Sequence, residues 1–280
     1  MTSTPQSEIT LIEAPARCRP SRRLALIVLS LGTICVVTPA CERTGRGKLF
    51  ESRKSSRDYL DLALESQNAD ERRRGVVGLA KGADGQRDWA VKVYDTLART
   101  DPDAMVRCAA LRALVPCEHS PRVDTCIKLL RSASGPIEGV REAPATVRWR
   151  AALLLGHAVR SGAFSDEERG RIVEVLIDRG AKEPDQNARL AMIETLGYFP
   201  ERRVIEMLIG TLESDNFTLQ HAAEMSLAML TGVTHNHDPD AWAAWYKSVA
   251  DPFERAGTMP PAALSKRGAK SHWDWLGWWE

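Results

Sequence analysis

A chain of 280 residues, 44% hydrophobic and 27% charged with only 6% aromatic residues, carries enough apolar material for a folded core. Its 38 basic residues stand against 37 acidic ones, a formal charge of +1, without the basic excess of a general nucleic-acid binder. No nucleic-acid partner is expected.

Taken in chain order, the first element is an address. Arg22 and Arg23 precede the uncharged run LALIVLSLGTICVVTPAC at 24–41, in which Ala40 stands directly before Cys41. A basic flank, an apolar centre and a small residue make an export pattern. The run resembles a bacterial lipoprotein signal, which implies removal of 1–40 and lipidation of Cys41. Thr38 and Pro39 depart from that pattern, so an uncleaved anchor and an ordinary signal peptide stay open. All three readings leave Arg17, Arg19, Arg22 and Arg23 in the cytoplasm and export the chain beyond Cys41. The expected location is the cell envelope or periplasm, with the chain held at the membrane. Residues 41–57, including RTGRGKLFESRKSSR, read as a basic tether. Such a tether gains ~1 kcal/mol per basic residue near anionic lipid.

From residue 58 the chain repeats itself. ERRRGVVGL, VRCAALRAL, VRWRAALLL, ARLAMIETL and LQHAAEMSL end at Leu79, Leu114, Leu155, Leu196 and Leu227, at spacings of 35, 41, 41 and 31. A period near 40 is that of paired-helix repeats. In the second copy Val106, Ala110, Ala113 and Leu114 share a helical face with Cys117, while Arg107, Cys108 and Arg112 point elsewhere. Asp101-Pro102-Asp103, Asp185-Gln186-Asn187 and Ser214-Asp215-Asn216 precede copies two, four and five as helix-capping signals. Partner helices fall between the copies, at 59–66, 89–98, 122–130, 167–180 and 202–212. No segment alternates convincingly with the period of a strand. The expectation is an all-α superhelix of about five helix pairs over 58–250, then a linker and tail at 251–280.

The copies resemble HEAT-like repeats of bacterial helical-repeat proteins, including the phycobilisome-lyase-like branch. The resemblance is strongest at Val106-Arg107…Ala109-Ala110…Leu114 and at Val147-Arg148…Ala151-Ala152…Leu155-Gly156. It implies a solenoid whose pairs bury one another's apolar stripes. A bilin lyase activity is implied only by the name of that branch, and the export signal opposes it.

Several places invite a functional reading. Arg107, Arg148 and Arg189 share one position of the repeat, either as a ladder binding acidic partners or as ion pairs between repeats. Cys117 and Cys126 fall on predicted buried faces, either as a disulfide or as buried thiols. With Cys108 and His119 they lack the CxxC spacing of a zinc site. His235, His237, Asp238 and Asp240 in THNHDPDAW form either an acid–base or metal cluster, or a turn and cap in which Trp242 and Trp245 close the array. The tail WDWLGWWE supplies Trp273, Trp275, Trp278 and Trp279, rings that need a groove, a membrane interface or a protein partner. No GxSxG, HExxH or phosphate-binding loop is present. The sequence therefore points to a non-catalytic protein-binding scaffold without cofactor or metal; the alternative is an enzyme centred on His235, His237, Asp238 and Asp240.

Overall fold

A computed structural model describes residues 54–117 and 122–258. Eleven helices and no strand lie among them: α1 Ser56–Glu65, α2 Ala69–Lys81, α3 Asp88–Thr100, α4 Ala104–Ala113, α5 Arg122–Arg131, α6 Ala145–Arg160, α7 Asp166–Lys182, α8 Gln186–Leu196, α9 Arg202–Leu212, α10 Phe217–Thr231 and α11 Pro239–Ser248. Most helix starts follow from a capping side chain. Asp103 accepts from the N–H groups of Met105 and Val106, Asp185 from Ala188, and Asn216 from Thr218 and Leu219. These are three of the predicted signals, and each satisfies amides that a helix start leaves open.

The helices pair as α1 with α2, α3 with α4, α5 with α6, α7 with α8 and α9 with α10, while α11 packs on α9. Consecutive pairs then join through two layers. Even-numbered helices touch in the order α2, α4, α6, α8, α10; odd-numbered ones run from α3 through α5, α7 and α9 to α11. The all-α superhelix of five pairs is therefore the observed architecture, and the five repeating leucines all lie on the even layer, fully buried.

One expectation drawn from a single helical wheel is overturned. Arg107 and Cys108 do not point away from the core: both are buried, and only Arg112 is exposed. The reason is that α4 has three helical neighbours, its own partner α3 and the flanking α2 and α6. A helix enclosed on so many sides buries residues all round, whatever its single-face stripe. The array also starts earlier than residue 58, because Ser55 and Asp58 form a reciprocal capping box on α1. At the other end the segment after α11 is not all linker. Pro252 is buried, Phe253 packs against the core, and the Gly257 N–H donates to Met229 O at 2.8 Å.

Two glycines are required by geometry. Gly232 ends α10 with φ 73°, the left-handed turn that favours a residue without Cβ. Gly75 lies where α1 and α2 cross: a Cβ there would sit 2.5 Å from Ala63 N and 2.7 Å from Tyr59 O. Gly75→Ala is expected to destabilise the protein by about 1–3 kcal/mol, measured from the urea midpoint. A neutral result would mean that the first pair is looser than this crossing requires.

Candidate functional site

The repeating arginine is a joint between pairs. Seven residues before each repeating leucine stand Arg72, Arg107, Arg148, Arg189 and Gln220; thirteen before it stand Ser66, Asp101, Glu142, Glu183 and Ser214. The second set lies at the loop that opens each even helix. There its side chain takes the N–H two residues on: Asp101 Oδ1 accepts from Asp103, Glu183 Oε1 from Asp185, and the hydroxyls of Ser66 and Ser214 from Asn68 and Asn216.

Across the first joint Arg72 grips Asp101 bidentately at 2.8 and 3.0 Å. Across the third, Arg148 grips Glu183 at 2.9 and 2.7 Å and donates to Ala143 O at 2.6 Å, with Arg179 as a second cation on the same carboxylate at 3.4 Å. Burial pushes the Glu183 carboxyl up, but the hydrogen bonds from Arg148 and Asp185 outweigh it and the net shift is downward. The second joint differs. Pro144 stands where the others offer an N–H, Glu142 is exposed, and Arg107 instead donates to three carbonyls. These are Ala98 O in the last turn of α3 at 2.9 Å, Glu142 O at 2.8 Å and Arg141 O at 2.9 Å. With the residue only 1% exposed, burial lowers the pKa of its guanidinium.

Of the three arginines first singled out, Arg107 and Arg148 are therefore internal fastenings and present no guanidinium to a partner. Arg189 alone of the three stands half-buried beside a cleft. Arg72 belongs to the same series. Its membership is visible in ERRRGVVGL once that copy is aligned on Leu79.

The histidine loop is organised by a residue that no sequence motif singles out. Glu224, on α10, is buried. Its carboxylate accepts from the Thr234 hydroxyl, from the N–H groups of His235 and Asn236 at 3.2 Å each, from the His237 N–H at 3.1 Å, and from Trp242 Nε1 at 2.6 Å. Burial raises its pKa, and the bonds from Thr234, Trp242 and His237 reverse that to a net lowering. Asn236 and His237 adopt φ of 56° and 67° to aim those amides inward, a strained choice held by the carboxylate. Asp238 caps α11 through Asp240 N and Ala241 N, both at 3.0 Å. His235 meets the Trp242 ring edge-on at 4.7 Å, and Trp242 meets Trp245 at 5.5 Å. His237 faces His221, Nε2 to Nδ1 at 3.2 Å, with the 68% exposed Phe217 stacked on His221 and tilted against His237. Among the described residues no group of three or more His, Cys, Asp or Glu side chains is placed to hold a metal. A signal for Glu224 existed: it occupies the position held by Val76, Leu111, Ala152 and Ile193 in the other copies.

Cys117 and Cys126 are buried free thiols, as is Cys108. Cys117 donates to Ala113 O at 3.4 Å and Cys108 to Thr146 O at 3.7 Å; burial pushes all three thiols up, that of fully buried Cys126 furthest. Cys41, His119, Trp273, Trp275, Trp278 and Trp279 lie outside the described residues, as does the run at 24–41. Among the described residues no helix is long and apolar enough to cross a membrane.

A row of half-buried side chains runs along the even helices: Trp149 and His157 on α6, Leu190 and Glu194 on α8, His221, Met225 and Met229 on α10. Within it, burial drives the Glu194 carboxyl up to about 7, with Arg160 as the opposing influence, and Oε2 has no hydrogen-bond partner. No protein-family model matches this chain, and no curated protein matches it.

Glu194 yields a pH prediction. Its folded value lies above its ordinary 4.5, so the native state binds the extra proton between those limits and loses stability as pH rises from about 4.5 to about 7. Glu194→Gln removes that titration. Its melting temperature is expected to gain on the parent across this window and hold a constant lead above it; a difference independent of pH would place the carboxyl in water.

Proposed function

We propose that the protein is a non-catalytic scaffold of HEAT-like repeats, exported to the cell envelope and held at the membrane through Cys41, which binds a protein partner. The observation that carries this reading is where the polar chemistry goes. The charges of half-buried Arg72 and of buried Arg107, Arg148, Glu183 and Glu224 are spent on joining one helix pair to the next or closing the last one. What remains for other molecules is surface: the mixed row on α6, α8 and α10, and the cleft beside Arg189. A two-layer array offers such surface on a rigid frame, because each pair is fixed by its neighbours.

The histidine loop supports no rival as strongly. Its backbone amides serve Glu224, and Asp238 serves the start of α11. The array class supplies no partner identity.

Crosslinking of the native protein in its membrane, read by mass spectrometry, tests this proposal. The expected result is one dominant envelope protein linked to α6, α8 or α10, together with a lipid-modified peptide beginning at Cys41. Cys41→Ser is expected to release the chain from the membrane fraction. Recovery of an unmodified N-terminal segment with cytoplasmic crosslinks alone would contradict both location and role.

A further inference from the structure

At the fourth joint the series has its arginine and no carboxylate. Arg189 occupies the position of Arg72 and Arg148, but the next loop offers Ser214 where the first and third joints have Asp101 and Glu183. The Ser214 hydroxyl takes the Asn216 N–H at 3.3 Å, and its carbonyl takes Gln220 Nε2 at 2.7 Å. Among the described residues the Arg189 side chain has no ion pair and no hydrogen bond, and its Nε is buried without an acceptor. A cleft of about 390 Å³ opens beside it between the α7–α8 and α9–α10 loops, with Pro184, Gln186, Ser214, Asp215 and Leu219 in its walls.

We propose that this cleft receives one carboxylate from outside the helical array, an Asp or Glu side chain or a chain terminus, in the place left by the missing loop acid. Three features select that chemistry. A guanidinium fork matches a carboxylate bidentately, as Arg72 and Arg148 already do here. A buried guanidinium N–H that lacks an acceptor gains one on binding. The other charges facing the cleft limit the ligand: Glu183 is committed to Arg148 and Arg179, whereas Asp215 stands exposed in the wall and repels multiply charged anions. One carboxylate therefore fits better than a phosphate dianion. The identity of its bearer as a polypeptide rests on the scaffold reading above. The bearer is either a separate protein or the chain's own tail, which carries Asp274 and Glu280.

The test titrates the full chain in detergent micelles, labelled with 15N-arginine, with acetyl-Ala-Glu-Ala-amide at constant ionic strength. The Arg189 Nε–H resonance, assigned by its loss in Arg189→Gln, reports binding. A saturable shift is expected with this peptide and none with acetyl-Ala-Gln-Ala-amide. Ser214→Glu, which supplies the absent acid internally, should weaken the peptide at least tenfold. Deletion of 273–280 separates the two sources: affinity rises if the tail is the bearer and is unchanged if the bearer is a separate protein. Absence of saturation in both the full chain and the deletion variant would overturn the proposal, as would an undiminished response in Ser214→Glu or tighter binding of inorganic phosphate. Saturation without any envelope partner in the crosslinking experiment would leave the cleft standing and remove the scaffold reading.

Discussion

A helix pair standing alone would leave an apolar stripe and a row of loop polar groups in water, and both problems are solved by the next pair. The apolar half is met by continuous even and odd layers, with Leu79, Leu114, Leu155, Leu196 and Leu227 buried along one of them. The polar half is met by the arginine joint. Arg72 and Arg148 each cross to a carboxylate that is also holding the start of the following even helix. One group thus holds the amide of a helix-capping residue and receives the preceding repeat, so local structure and stacking are fixed together. Removing either partner strands a buried charge.

The joint varies in ways that follow from single residues. Pro144 has no N–H to offer, Glu142 stays in water, and Arg107 takes carbonyls in place of an acid. Gln220 replaces the last arginine where no further pair of this kind follows among the described residues, and reaches back to its own loop at Ser214 O. Glu224 then closes the array: a charge set into an otherwise aliphatic position draws in the 234–237 backbone and the Trp242 indole, which α11 lays over the final pair.

The fold was legible because the packing problem repeats. Spacings of 31 to 41 residues between copies, and the caps at Asp103, Asp185 and Asn216, placed helices where they occur. The burial of Arg107 and Cys108 was not legible from one helical wheel, since a wheel carries no record of how many neighbours a helix has. Aligning the copies column by column recovers more. It exposes Glu224 among aliphatic residues and Ser214 where the three middle copies carry acids, while the hydrogen bonds that give those departures meaning require the third dimension. The loop His235–Asp240 drew attention as chemistry because a linear string cannot show that its amides, more than its imidazoles, meet the central carboxylate.

The claim that pairs are fastened by guanidinium–carboxylate joints is tested most directly by a double-mutant cycle on Arg148 and Glu183, each replaced by Ala, with stability taken from urea denaturation. Each single change is predicted to cost about 3–5 kcal/mol, and the pair to show a coupling of about 2 kcal/mol or more. Additive single effects, with a coupling below about 0.5 kcal/mol, would contradict the account.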